Sequence, residues 1–270
     1  MTSHDLRAQD LTLGYADVDI VSNLDVQLPD GRITVIVGAN ACGKSTLLRG
    51  LARLLKPRRG AVLLDGSSMH DLKSIEVAKV VGLLPQTPVA PDGITVADLV
   101  GRGRYPHQGW FRRWSAEDDA AVEAALEATG TAELAERPIA ALSGGQRQRV
   151  WVAMALAQDT DLVLLDEPTT YLDITHQVEL LDLLTDLNRL HGKTIAIVLH
   201  DLNLACRYAD HLIAMKAGRI VREGAPRDVV DAELVSEVFG LASDVVPDPV
   251  SGSPMVVPRG RHHVATPAPA

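Results

Sequence analysis

Residues 38–45 read Gly-Ala-Asn-Ala-Cys-Gly-Lys-Ser and follow directly on Ile33 to Val37, a short apolar run rich in β-branched residues. The segment fits G-x-x-x-x-G-K-[ST], a pattern whose chemistry requires a strand before it and a helix after it. Ile33 to Val37 suits a strand buried on both faces, and Lys44 to Leu54 reads as the helix. In that setting the backbone N–H groups of residues 41–46 and the positive end of the helix can surround a phosphate. Lys44 can reach the outer phosphate oxygens, and the Ser45 hydroxyl can ligate a divalent cation. An α/β core is therefore expected.

The rest of the 270-residue chain is compatible with such a core: 46% of residues are apolar and 23% charged, an ordinary globular balance. Aromatic residues make up only 3%, so the core must be aliphatic. No apolar run approaches the roughly 20 residues that span a bilayer. The start, Met-Thr-Ser-His-Asp-Leu-Arg, has no apolar segment of a secretory signal. Cys42 and Cys206 stand far apart and offer neither a disulfide framework nor a CxxC metal pair. These features read as cytoplasmic. A net charge of −9 argues against nucleic acid as a partner and against direct insertion into anionic lipid. If the chain works at a membrane, it should attach through a protein already embedded there.

Leu11 to Leu28 alternates and predicts two antiparallel strands around Gly14-Tyr15; Ala61 to Leu64 predicts a strand ending at the turn pair Asp65-Gly66. From about Val89 to Gln148 the character turns helical, with candidates at Thr95 to Leu99, Ala116 to Ala128 and Ala132 to Glu136. We read residues 89–148 as a helical subdomain inserted into the core. A helix from Gly145 to Leu156, a strand at Leu162 to Leu165, an amphipathic helix at Thr175 to Leu190 and a buried strand at Thr194 to Leu199 resume the α/β pattern. Ile213 to Val221 reads as a hairpin around Ala217-Gly218. Residues 1–257 are expected to form one domain and 258–270 a frayed tail; His262-His263 there read as solvated.

Two further segments carry chemistry. Val163-Leu164-Leu165-Asp166-Glu167 ends an apolar strand in two carboxylates, which alone could simply cap the next helix. Leu142-Ser143-Gly144-Gly145-Gln146 starts a helix with a serine N-cap and two glycines, leaving bare N–H groups for an anion; a flexible loop would explain the glycines but not the whole string. Cys42, at a helix N-terminus beside Lys44, has neighbours that favour a reactive thiol, although a small tolerated side chain is the plainer reading.

In this order on one chain, the Gly38–Ser45 loop and the Leu142–Gln146 string resemble the ATP-binding subunits of ABC transporters. The resemblance implies an ABC-type P-loop ATPase core with an N-terminal antiparallel β subdomain and an inserted helical subdomain, with ATP and Mg²⁺ as cofactors. Gly38, Asn40, Ala41, Cys42, Gly43, Lys44, Ser45 and Thr46 would line the phosphates. The family has Pro and Gly where this chain has Ala39 and Ala41, and Ala41 must supply any positive φ that the loop requires. Asp166, at the end of what would be the Walker B strand, would hold Mg²⁺ with Ser45 and Gln86. Glu167 would polarise the attacking water, with Gln86 of Leu84-Pro85-Gln86 and the strand-end His200 as further catalytic groups. Tyr15 would stack on adenine. Ser143, Gly144, Gly145 and Gln146 would close over the γ-phosphate held by an opposite subunit, and Asp173 would bridge the two. The working unit would then be a head-to-tail homodimer with two composite sites.

Gly103-Arg104-Tyr105-Pro106-His107 lies beside Trp110, Phe111 and Trp114, so four of the chain's nine aromatics fall within ten residues. Such clustering suits an interface core, although a subdomain packing on itself accounts for it as well. Pro168 to Ile174, His176-Gln177, Asp201-Leu202-Asn203, Ala205 to Ala209, Asp248-Pro249 and Gly252-Ser253-Pro254 resemble the ferric siderophore importer ATPases. That likeness implies two integral membrane permease subunits, an extracytoplasmic siderophore-binding protein and a place on the cytoplasmic face of the membrane. Heme, cobalamin and manganese importers share much of the pattern. An efflux ATPase fits the subfamily likeness less well. A soluble ABC ATPase acting on DNA ends or ribosomes would need a coiled-coil insertion or a second cassette, and the sequence has neither.

Overall fold

The computed structural model describes residues 3–108 and 114–262. Strands β1 (Leu6–Tyr15) and β2 (Val18–Leu28) form an antiparallel hairpin. β3 (Ile33–Gly38) leads into α1 (Lys44–Leu51), and β4 (Arg59–Leu64) with the short β5 (Ser67–Ser68) completes a four-stranded sheet of order β2-β1-β4-β5. The Asp65-Gly66 turn has φ of 52° and 78° at its two residues, as a tight hairpin requires.

The main sheet is built on β3. Strands β6 (Val81–Leu84), β7 (Leu162–Asp166) and β8 (Thr194–Val198) run parallel to it, and β9 (His211–Lys216) with β10 (Arg219–Gly224) closes the far edge, giving the order β10-β9-β3-β8-β7-β6. Every residue of β3, β7 and β8 is buried, which explains their unbroken apolar runs. The two-residue side-chain period then divides them between two cores. Ile36, Leu162, Leu164, Ala196 and Val198 face α1 and the antiparallel sheet. Ile33, Val35, Val37, Val163, Leu165, Ile195 and Ile197 face the opposite layer, which contains α5 (Gly144–Ala157) and α6 (Ile174–His191).

The helical segment holds α3 (Val96–Gly101), a 3₁₀ stretch at Arg102–His107 and α4 (Ala116–Ala128), all packed on α5. Arg104 Nε donates to Asp118 Oδ1 at 2.9 Å and Nη1 donates to the Ala157 carbonyl at 2.9 Å, so one buried guanidinium ties three elements together. Asp118 also completes a capping box with Ser115 at the start of α4. Of the aromatic cluster, Tyr105 and Trp114 are exposed at 58% and 46%, while Trp110 and Phe111 lie outside the described residues.

Several boundaries differ from expectation for local reasons. α1 stops at Leu51 because Arg53 turns to φ 62° and residues 54 and 55 donate back to the Arg49 carbonyl. Thr95 is the N-cap of α3, its hydroxyl accepting from Asp98 N at 3.2 Å. Ala132 to Glu136 shrinks to one 3₁₀ turn, Ala132–Leu134. The segments α2 (Ser74–Val80), α7 (Leu202–Tyr208), α8 (Pro226–Val229), α9 (Ala232–Phe239) and the hairpin β11 (Ser243–Pro247) with β12 (Pro254–Pro258) were not anticipated. The predicted tail starts too early: Pro258 pairs with Ser243 in β11, and Arg259 N donates to the Ala242 carbonyl at 2.8 Å. Residues 263–270, including His263, lie outside the described set. No helix among the described residues is long and apolar enough to cross a membrane.

The Arg104–Asp118 pair gives a direct test of the helical packing. Burial pushes the Asp118 carboxyl up, but hydrogen bonds from Arg104 and Ser115 more than offset it and hold it below the ordinary carboxylate range. Its contribution is therefore complete above the unfolded value and disappears as pH falls through the lowered native one. Arg104→Met, which strands the buried carboxylate, is expected to lower stability by about 3–5 kcal/mol at pH 7. Urea unfolding should show the deficit shrinking below pH 4.

Candidate functional site

The phosphate loop lies where β3 ends, and its backbone is unusual over six residues. Gly38 has φ 155°, and a Cβ there would meet the Met215 carbonyl oxygen at 2.3 Å, so no other residue fits. Ala41 does take the left-handed conformation, φ 60°, and Gly43 follows at φ 107°. For alanine that conformation costs about 1–2 kcal/mol, met by the surrounding fold. Gly43 is also the N-cap of α1 and supplies no side-chain hydrogen bond, which leaves the helix N–H groups open. Lys44 is 4% exposed, and its Nζ donates to the carbonyls of Gly38 (2.9 Å) and Ala39 (3.1 Å). The ammonium is thus held across the mouth of the loop.

Behind the loop, Ser45 Oγ donates to Asp166 Oδ1 at 2.8 Å, joining the start of α1 to the end of β7. The other carboxylate oxygen, Asp166 Oδ2, is buried and has no hydrogen-bond partner. Burial raises the Asp166 carboxyl above its ordinary value, the Ser45 hydrogen bond opposes this, and neighbouring Glu167 adds to it. An orphan oxygen on a destabilised buried carboxylate, beside a serine hydroxyl, is a donor set of hard oxygens that fits Mg²⁺.

Glu167 is held from two sides. Gln86 Nε2 donates to its Oε2 at 2.8 Å, and His200 Nε2 lies 2.7 Å from its Oε1. Gln86 arrives on the loop after β6 and His200 on the loop after β8, while Glu167 itself adopts φ 54°. Left-handed backbone at a glutamate is stored strain, concentrated here at the chemical group. Tyr15, 44% exposed at the end of β1, lines the same cleft of roughly 420 Å³ and accepts a hydrogen bond from Arg49 at 3.2 Å. Asn40 and Thr46 line it too, as does Ile20, which sequence reasoning missed. Ile20 sits on β2, in an alternating strand where nothing marks it as different from its core neighbours.

Cys42 is 6% exposed and packs beneath the loop with its sulfur against Gly38, so it is a packing residue in this conformation. Ser143, Gly144, Gly145 and Gln146 are not brought to this cleft. They form the exposed N-terminus of α5, where Gln146 N donates to Ser143 Oγ (3.2 Å) and Ser143 N donates to Gln146 Oε1 (3.1 Å). Asp173 stands beside them as the N-cap of α6, accepting from His176 N at 3.0 Å, a bond that holds its carboxyl below the ordinary range. Tyr171, at φ 68° and 78% exposed, lies against the signature glycines.

Residues 21–170 match the model of the ABC transporter family. The chain is 57% identical to the achromobactin transport ATP-binding protein of Dickeya dadantii, the alignment covering 95% of each. It is 56% identical to the ferric enterobactin transport ATP-binding protein of Escherichia coli, covering 95% of this chain and 94% of that one. A solved ATP-binding cassette, a dimer in a post-hydrolysis state bound to ADP and phosphate, superposes with a TM-score of 0.74 at 28% identity, over 82% of this chain and 98% of that one. The chain belongs to the ABC transporter family. Within it, the chain is an ATP-binding, ATP-hydrolysing subunit, similar to the transport ATP-binding proteins just named.

Lys44→Ala removes the one ammonium in the loop. Because charge-assisted hydrogen bonds contribute about 1.5–3 kcal/mol, ATP affinity is expected to fall by roughly 10–150-fold. Fluorescent-nucleotide titration measures it, and unchanged affinity would count against the loop as the phosphate site.

Proposed function

We propose that this chain energises the import of ferric siderophores, working as a homodimer docked on two membrane-embedded permease subunits at the cytoplasmic face of the membrane. A siderophore-binding protein outside the membrane would deliver the cargo. The observation that carries the cargo class is the 56–57% identity, spread over 95% of the chain, to relatives named for achromobactin and ferric enterobactin transport. The acidic surface and the lack of a spanning helix among the described residues favour attachment through protein partners.

The chemistry follows from the cleft. The N–H groups of the loop and Lys44 bind and orient the triphosphate. Asp166 and Ser45, with Gln86 nearby, would hold Mg²⁺, which when bound neutralises charge developing between the β- and γ-phosphates. Glu167 accepts the proton of the attacking water, and its two hydrogen-bonded neighbours, Gln86 and His200, fix where that carboxylate points. Tyr15 stacks on the base. Since Ser143 to Gln146 and Asp173 face away from this cleft, they complete the site of the opposite subunit when two copies close head to tail. Closure and reopening of that dimer is the motion passed to the permease.

Glu167→Gln keeps the shape of the carboxylate and removes its basicity. It is expected to bind ATP normally, to accumulate as a dimer in gel filtration and to lose turnover by about 10²–10⁴-fold; normal hydrolysis would sink the catalytic assignment. The cargo is tested by radio-iron uptake from a panel of ferric siderophores in host cells carrying Lys44→Ala. Loss of uptake for one siderophore class supports the proposal and identifies the cargo. Intact uptake throughout, with no second ATPase present, points instead to heme, cobalamin or manganese.

A further inference from the structure

The segments that set this chain apart in sequence but have no part in the cleft are 201–209 and 248–254. The structure brings them together. Asp201, next to His200, caps α7: its Oδ1 accepts from Asn203 N at 2.8 Å and from Leu204 N at 2.9 Å. Asn203 then reaches out of the helix to the C-terminal hairpin. Its Oδ1 accepts from Val256 N at 2.7 Å and its Nδ2 donates to the Val256 carbonyl at 3.3 Å, so one side-chain amide pairs with the backbone of β12 at both of its polar atoms.

One turn along the same face, Arg207 donates through Nε and Nη2 to Asp248 Oδ2, at 3.1 and 2.6 Å. Asp248 is 6% exposed, and its other oxygen accepts from Val250 N at 2.8 Å, closing the turn of the hairpin. The Val250 amide and the Arg207 guanidinium hold the Asp248 carboxyl down at about 2, so the pair stays ionised at any pH at which the protein works. Val256 itself is buried in one cluster with Leu199, which precedes His200, and with Ala205 and Cys206 of α7.

α7 has only seven residues, too few to hold a helical position by its own hydrogen bonds. Its placement depends on what it packs against: Asn203 and Arg207 bond to the hairpin, while Tyr208 donates to Asp182 of α6 at 2.8 Å. We propose that Asn203 and Arg207 are positioning residues: clamped to Val256 and Asp248, they fix α7 and, through Asp201, hold His200 in hydrogen-bonding reach of Glu167. The hairpin β11–β12 is then a brace on the catalytic geometry, acting through α7. The inference rests on the assignment of Glu167 and His200 to ATP hydrolysis.

The experiment compares kcat, the KM for MgATP and thermal unfolding of the full chain in Asn203→Ala, Arg207→Gln and the milder Asn203→Asp and Arg207→Lys. Asn203→Asp keeps the acceptor for Val256 N and turns the donor into a charged acceptor facing the Val256 carbonyl, so it reports even if the alanine variant fails to fold. A displacement of catalytic groups well under 1 Å is expected to cost kcat about tenfold, with the KM changed less than about twofold. Arg207→Lys should recover part of the loss of Arg207→Gln. In a His200→Ala background the Asn203 and Arg207 changes should have no further effect on kcat, because the group they position is gone. Lowered melting temperature with full kcat, or additive losses with His200→Ala, would overturn the brace and leave the hairpin a stability element. If His200→Ala alone retained full kcat, the site assignment itself would fall, and that single variant tells the two failures apart.

Discussion

The parallel register of three buried strands fixes everything else. Ile36 of β3 pairs with Val198 of β8, and Val198 pairs in turn with Asp166 of β7. The strands consequently end at the same level, so the phosphate loop, the Asp166–Glu167 pair and His200 leave the sheet side by side. Ligands in open parallel sheets collect at these carboxyl ends because the loops there converge while the strands below are fully packed. A slip of one residue in β8 would turn Ile195 and Ile197 toward the wrong core and carry His200 away from Glu167. The aliphatic cores on both faces thus enforce the chemistry as well as the fold.

At the site, the charged groups are held by contacts that a nucleotide and a cation can replace. Asp166 is buried with one oxygen orphaned, Lys44 contents itself with two loop carbonyls, and Glu167 relies on an amide and an imidazole from separate loops. Each of these arrangements can be exchanged for contacts with a nucleotide and a cation without dismantling the sheet. Ala41 and Glu167 both hold a positive φ here, above strands too tightly packed to relax it. The start of α5 is different, since the Gln146 and Ser143 N–H groups are taken up by the reciprocal Ser143–Gln146 cap on an exposed surface.

Much of this was legible in the residues. The loop with its lysine and serine follows from motif chemistry, the two carboxylates and the strand-end histidine from the family resemblance, and strands β3, β7 and β8 from largely apolar runs. The helix expected over Ala116 to Ala128 matches α4 at both ends, and the structure adds the Ser115–Asp118 capping box that starts it. Short elements escaped. α2, α7, α8 and the hairpin β11–β12 carry too few residues for a period to emerge, and their positions come from contacts with segments distant in the chain. Ile20 escaped for the opposite reason, being one apolar residue in a regular alternation.

What the sequence determined by itself is the inventory of chemical groups and the order of the strands that carry them, because backbone period and loop chemistry act over a few residues. Only the tertiary structure decided that Gln86 and His200 grip the same carboxylate, that Asp166 keeps an unpartnered oxygen, and that Asn203 pairs with Val256 across 53 residues. Those contacts join side chains whose separation along the chain is far longer than any local pattern. They exist only once two cores have closed around a shared sheet.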